Sequence, residues 1–316
     1  MKAGSKLEQA LVEGRFAVTS EIGPPKSVDA EVVRRKARLL RDHALAANIT
    51  DNPTGVVRMA SIACGLMALQ EGMEPIVQVT CRDRNRMAIQ SDLLGAAAMG
   101  IKNVLCLTGD HPSLGNHPQS KPVFDLDSLQ LTQMVRNMRD EKQFQNGEEL
   151  NPEPRLFVGA VENPFGHPLQ FRSVRLAKKV NAGADFIQTQ LIFNIKRFRE
   201  WMQEVRDRGI HERVYILAGV GPIRSAGAAR FMRDRVPGMD VPEEVVQRMA
   251  GVERNEARKE GIKICVETIQ ELREMEGIAG IHIMALEWEE AVGEIVETAG
   301  LKPLPMRLAA SVSPER

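Results

Sequence analysis

Eight times along this chain a short β-branched run closes on polar residues, glycine or proline, then gives way to helical periodicity. The runs cover residues 16–22, 46–50, 75–80, 103–107, 156–161, 185–193, 214–217 and 280–286. Between them apolar residues recur three or four apart, as in Val33, Ala37 and Leu40 or Val266, Ile269 and Leu272. Such a beat specifies a parallel sheet wrapped by helices, and eight beats without a Ser- or Gly-rich linker favour one (β/α)8 barrel over the whole of 1–316. A doubly wound open sheet is the alternative. Two polar loops interrupt the rhythm at 111–122 and 142–154, and an extra helical excursion occupies 242–277 before the last strand.

Composition narrows the function classes. The 42 Lys and Arg residues balance 42 Asp and Glu, so the chain lacks the basic excess of a nucleic-acid binder and any polybasic signal for a membrane surface. Aromatic content of 4% leaves few platforms for stacking bases. The four cysteines, Cys64, Cys81, Cys106 and Cys265, form no C-x-x-C pair and are expected to be packed, reduced thiols. The opening MKAGSKLEQALVEG has no apolar h-region, and no window approaches a membrane span, which together predict a cytoplasmic protein. His111, His117 and His167 show no i, i+4 ligand pairing, so no metal site is expected.

In a barrel the chemistry sits at the C-terminal ends of the strands. Those ends carry Glu21, Asp51, Asn52, Asp110, Glu162, Asn163, Gln188, Gln190 and Glu287, an acidic, amide-rich rim with little Lys or Arg. It suits a ligand rich in donors, or one passing through a cation, better than a naked polyphosphate. Glu21 is the only charge in its strand. Desolvation there would raise its pKa into the range of a general acid, unless a buried Arg pairs with it for structural reasons. Asp110 follows Thr108-Gly109, where glycine permits close backbone approach to a flat ligand; an N-cap or turn role competes. Gln188 and Gln190 share one face of their strand, with Thr189 on the other, and either face a ligand or form a satisfied core amide. The run Arg82–Arg86 reads as a loop and a solvated helix start. Gly219-Val-Gly221-Pro lacks the third glycine of a dinucleotide fingerprint.

Taken in order, these strand ends resemble the methylenetetrahydrofolate reductase family, flavin-containing (β/α)8 barrels, from Phe16 to Pro303. The landmarks are Ser20-Glu-Ile-Gly-Pro-Pro25, Val79-Thr-Cys81, Leu107-Thr-Gly-Asp110, Asn163-Pro-Phe-Gly-His-Pro168, Lys179-Val-Asn-Ala-Gly-Ala-Asp185 and Thr189-Gln-Leu-Ile-Phe193. The resemblance implies that Glu21 is the general acid that assists opening of the folate five-membered ring. It implies that Asp110 stabilises the resulting iminium and that Gln190, with Gln188, positions folate. The flavin-contacting set it implies is Thr50, Gln78, Thr108, Gly109, Asp110, Phe124, Asn163, His167 and Lys179, with Lys179 as phosphate partner. FAD is the family's usual flavin and FMN the alternative.

Three departures stand out against that pattern. Gln78 replaces a histidine, Arg172 an aspartate, and Ala226 the aromatic residue that holds both folded NAD(P)H and the folate aminobenzoyl group. The last leaves direct NAD(P)H binding open. Together with the opening Val-Thr-Ser-Glu-Ile-Gly-Pro-Pro, it points to the partner-dependent type of acetate-forming anaerobes, with an electron-donating partner subunit and a homo- or hetero-oligomer. A related pterin oxidoreductase, or a non-catalytic subunit of a larger complex, are the alternatives. Glu21, Asp110 and Gln190 together weigh against the non-catalytic one, which needs no acid at a barrel mouth.

Overall fold

The computed structural model describes residues 1–301. Eight parallel strands close into a barrel in sequence order: β1 (Ala17–Ile22), β2 (Ala46–Ile49), β3 (Glu74–Thr80), β4 (Asn103–Leu107), β5 (Phe157–Glu162), β6 (Phe186–Leu191), β7 (Tyr215–Val220) and β8 (Ile278–Ile283). Closure excludes the open doubly wound sheet. The helices are α1 (Lys6–Val12), α2 (Ala30–Leu40), α3 (Ser61–Gln70), α4 (Arg86–Ala98), α5 (Ser128–Arg136), α6 (Arg172–Ala182), α7 (Ile195–Asp207), α8 (Ala226–Arg235), α9 (Glu243–Ala250), α10 (Ala257–Arg273) and α11 (Ala291–Thr298).

Local chemistry sets many of these boundaries. Asp29, Asn85, Asn194 and Ser225 cap the first turns of α2, α4, α7 and α8, and Asp127 with Gln130 forms a capping box on α5. Gly183, at φ +110°, ends α6 in the left-handed region that glycine enters freely. Strand alternation then divides the apolar residues. Val18, Ile22, Ile49, Ile187 and Ile281 face the helices, while Ala17, Ala46, Ile76, Leu105, Phe157, Phe186 and Leu217 fill the barrel. Gly159 makes room for this filling, since a Cβ there would lie 2.3 Å from Phe186 Cζ. The first helix, α1, seals the lower end with Leu7 and Leu11, and Glu74 holds it by accepting from the Lys6 and Leu7 amides at 2.7 and 3.1 Å. The four cysteines are buried and free, as packed reduced thiols require. Among the described residues no helix is long and apolar enough to cross a membrane.

Three sequence boundaries need correction. The seventh strand continues from Leu217 to Val220, because Gly219 belongs to the sheet. The β6 ladder slips between Gln188 and Leu191, and the Thr189 carbonyl would lie 2.3 Å from a Cβ at position 219, so only glycine fits opposite the bulge. The sixth strand ends at Leu191, short of Phe193, and the eighth spans Ile278–Ile283. The excursion is also misplaced in the sequence reading. Helix α10 packs on β7 and β8 as the barrel's own helix, with Gly261 set against the Ile223 backbone, so the added elements are α8 and α9.

Candidate active site

The barrel interior changes character along its axis. Above the apolar filling lies a polar layer of Thr19, Asn48, Gln188 and His282, each at most 2% exposed. Asn48 Nδ2 donates to Gln188 Oε1 at 2.8 Å and lies 3.2 Å from His282 Nε2, while Gln188 Nε2 donates back to Asn48 Oδ1 at 3.1 Å. His282 Nδ1 is 3.0 Å from Thr19 Oγ1, whose hydroxyl is 3.3 Å from the Ile281 carbonyl. One assignment satisfies all four residues: the ring carries its proton on Nδ1 and accepts at Nε2. Burial pushes His282 down to about 3, so the ring is neutral. Gln188 is therefore a satisfied interior amide. It shapes the floor of the site, its side chain being committed to the protein rather than free for a substrate.

Above this layer, Glu21, Gln78, Asn163, Gln188, Gln190 and Met284 surround a cavity of about 210 Å³. A second cavity of about 250 Å³ opens toward the loops after β1, β2 and β8, lined by Glu21, Thr50, Arg58, Glu287 and Glu289 among others. Glu21 borders both. It is half-buried and has no salt bridge among the described residues, whereas its neighbours on the rim are neutralised. Asp51 pairs with Arg84 and accepts from the Thr80 amide and hydroxyl at 2.9 Å. Glu162 meets Lys179 at 2.8 Å, and Glu289 meets Lys36 at 2.6 Å. The acidic rim of the sequence is thus largely balanced by cations from the surrounding helices and loops. Burial, reinforced by the nearby Glu289 carboxylate and opposed by Lys36, pushes Glu21 up to about 7. This carboxyl is poised to give or take a proton near neutrality.

Asp110 is exposed, and its Oδ2 accepts the Thr54 amide at 2.8 Å. That bond holds Thr54 at φ +55° and clamps the loop after β2 to the loop after β4. Gly109 takes φ +91° and would bring a Cβ within 3.1 Å of Thr80 and Arg82. Thr108 Oγ1 accepts from the Ser128 amide at 3.2 Å. Gln190 Oε1 accepts its neighbour Leu191's amide at 2.9 Å, and its amide nitrogen has no protein partner among the described residues. Asn163 ties the mouth to the segment after α8, donating to the Gly238 carbonyl at 3.0 Å. Phe124, at φ +38°, stacks with His111 at 6.4 Å between ring centres, and His167 stands exposed in the loop after β5.

For a flavin, the donor set fits at the ring end. Thr50 Oγ1 is buried without a partner among the described residues, and the amides of Gln78 and Gln190 border the cavity. Both cavities fall below the roughly 300–1,000 Å³ of a typical cofactor pocket, so a flavin would extend across the open mouth. The phosphate end needs correction. Lys179 is 4% exposed and locked between Glu162 and the Val161 carbonyl, and burial pushes its ammonium below the ordinary lysine range. A buried counter-ion presents no face to a phosphate. The Arg82–Arg86 run is a loop leading into the exposed start of α4, as expected, except that Arg82 is 2% exposed and forked onto Asp83 at 2.7 and 2.8 Å.

Sequence reasoning missed the Thr19–Asn48–His282 layer and the Lys36–Glu289 pair. The layer carried a signal: Thr19 and His282 are polar residues at inward positions of otherwise apolar strands. The pair carried none, because its members lie at opposite ends of the chain.

The sequence profile of methylenetetrahydrofolate reductase matches residues 6–300. Methylenetetrahydrofolate reductase 2 of Schizosaccharomyces pombe is 28% identical over 311 residues, covering 92% of this chain and 46% of the relative. A probable methylenetetrahydrofolate reductase (NADPH) of Caenorhabditis elegans is 23% identical, covering 94% of this chain and 44% of the relative. The chain therefore spans about half the length of these relatives. The 5,10-methylenetetrahydrofolate reductase of Escherichia coli, 23% identical, is matched over 94% of this chain and 96% of its own. Among solved structures, a Clostridium thermocellum protein that binds two copies of 5-methyl-5,6,7,8-tetrahydrofolic acid superposes with a TM-score of 0.63 at 14% identity. It covers 92% of this chain and 99% of that one, a likeness of fold. With the profile match extending over nearly the whole barrel, the chain belongs to the methylenetetrahydrofolate reductase family.

Proposed function

We propose that this protein interconverts 5,10-methylenetetrahydrofolate and 5-methyltetrahydrofolate with a bound flavin, FAD by family precedent. The observation that carries the reading is Glu21, the half-buried rim carboxyl that forms no salt bridge among the described residues and whose affinity for a proton reaches the neutral range. Family membership supplies the substrate class, and the fold-related protein that binds 5-methyltetrahydrofolate supports it.

In the reductive direction Glu21 gives its proton to N10 as the bond from N10 to the methylene carbon breaks, leaving a cationic iminium at N5. Bound flavin supplies the hydride that turns this methylene into a methyl group. Asp110, beside the mouth, places a negative charge toward the cation, while Gln190 offers its free amide nitrogen to the pterin. Thr50 and Gln78 would hold the flavin ring by hydrogen bonds, and the closed layer of Asn48, Gln188 and His282 gives the site a rigid floor. Ala226 begins α8 and presents a methyl group where the family has an aromatic ring, so electrons arrive from a partner subunit rather than from stacked NAD(P)H.

An absorbance spectrum of the purified chain, taken anaerobically, tests both parts. A flavin band bleached by 5-methyltetrahydrofolate but not by NADH is the expected result. Bleaching by both would remove the partner subunit, and bleaching by neither would remove the folate reaction.

A further inference from the structure

On one side of Glu21 lie two opposed charges that no step above uses. Lys36 of α2 and Glu289 of the loop after β8 are 5% and 7% exposed, and they meet at 2.6 Å. Lys36 Nζ also lies 3.5 Å from the carbonyl of Gly23, two residues beyond the acid, and 3.7 Å from Glu287. Glu287 and Glu289 line the same 250 Å³ cavity as Glu21. One ion pair thus fastens the end of β1, the side of α2 and the β8 loop around a single carboxyl. A buried pair is a poor source of net stability, because desolvating both charges offsets most of their attraction. An apolar contact would hold these three elements as well. What an apolar contact cannot do is fix a positive and a negative charge beside the acid.

We propose that Lys36 and Glu289 form a positioning pair for Glu21, holding the acid at the mouth and setting the field in which it keeps its proton. This rests on the reading of Glu21 as the acid. The charges facing it come from few elements: Lys36 on α2, Arg58 before α3, and Glu287 and Glu289 after β8. Across the floor His282 is neutral, and Glu162 of β5 is balanced by Lys179. Of these groups, Glu289 strengthens the hold of Glu21 on its proton and Lys36 weakens it, in line with their charges.

The two members should therefore act in opposite senses. The full chain, labelled with ¹³C at glutamate Cδ, reports the titration of Glu21 by NMR, its signal identified by its loss in Glu21→Gln. Glu289→Gln leaves Lys36 opposed only by the exposed Glu287 and lowers the Glu21 midpoint by about one pH unit, whereas Lys36→Met raises it by a similar amount. The double variant returns near the wild-type midpoint, and Glu289→Asp, which keeps the charge, stays close to it. Midpoints that do not move, or that move the same way in both single variants, overturn the proposal. If Lys36→Met fails to fold, the contrast between Glu289→Gln and Glu289→Asp decides alone. The titration needs neither folate nor flavin. A Glu21 that answers to the pair in a protein inert toward folate would defeat the proposed reaction and leave the pair standing. A protein that turns folate over with an unresponsive Glu21 would defeat only the pair.

Discussion

The lower and upper halves of this barrel are built by opposite rules. Below Asn48 the interior is filled by Ile76, Leu105, Phe157 and Phe186 and sealed by α1, and the buried Glu74 and Asp185 are partnered there. Asp185 is typical, accepting from Arg139, Lys2 and the Val158 amide. Above Asn48 the same strands present Glu21 without a cation, a Thr50 hydroxyl without a partner and a Gln190 amide nitrogen left open. These unpaired groups border the two cavities, where a bound ligand can satisfy them, and so mark this end as the place for chemistry. The polar layer of Asn48, Gln188 and His282 is the boundary, satisfied like the half below it and polar like the half above.

The contrast is sharpest if each half is broken separately. Glu21→Gln should cost about 10²- to 10⁴-fold in folate turnover while its thermal melt near pH 6 stays close to wild type. A large loss of stability there would mean that Glu21 belongs to the framework. Phe186→Ala should do the reverse, costing about 3–5 kcal/mol in denaturant unfolding while flavin binding survives in the molecules that remain folded. Asn48→Ala sits between, because it orphans Gln188 and His282. It should cost about 1–3 kcal/mol and also loosen the floor, seen as a raised KM for folate.

The smallest effect is one of pH. Glu21 holds its proton more tightly folded than unfolded, so its stabilising contribution is complete below about pH 4.5 and is lost as pH rises through about 7. Glu21→Gln should therefore match wild type in stability at low pH and exceed it by on the order of 1 kcal/mol at pH 8, as unfolding curves at both pH values would show.

Much of this was legible in the sequence where the information is local. Short β-branched runs closed by polar residues, glycine or proline locate all eight strands, and the polar residue near the end of the first, Glu21, stands out in an apolar run. What stayed hidden depends on residues far apart in the chain. Asp51, Glu162 and Glu289 look alike on paper to Glu21, and only the fold brings Arg84, Lys179 and Lys36 to them. The same blindness made Lys179 a phosphate ligand, since the sequence does not show Glu162 waiting beside it. Gly219 falls outside the seventh run because its true constraint, the bulged backbone of Thr189 and Gln190, lies on the neighbouring strand.

The central claim is that Glu21 works as a protonated acid, and the pH dependence of a single reductive turnover tests it most directly. With flavin reduced in advance and methylenetetrahydrofolate added anaerobically, the rate should hold level below about pH 6 and fall tenfold per unit above about pH 7, with that fall abolished in a slow Glu21→Gln variant. A wild-type rate that is flat through neutrality, or a Glu21→Gln protein that keeps both the rate and the fall, would contradict the account.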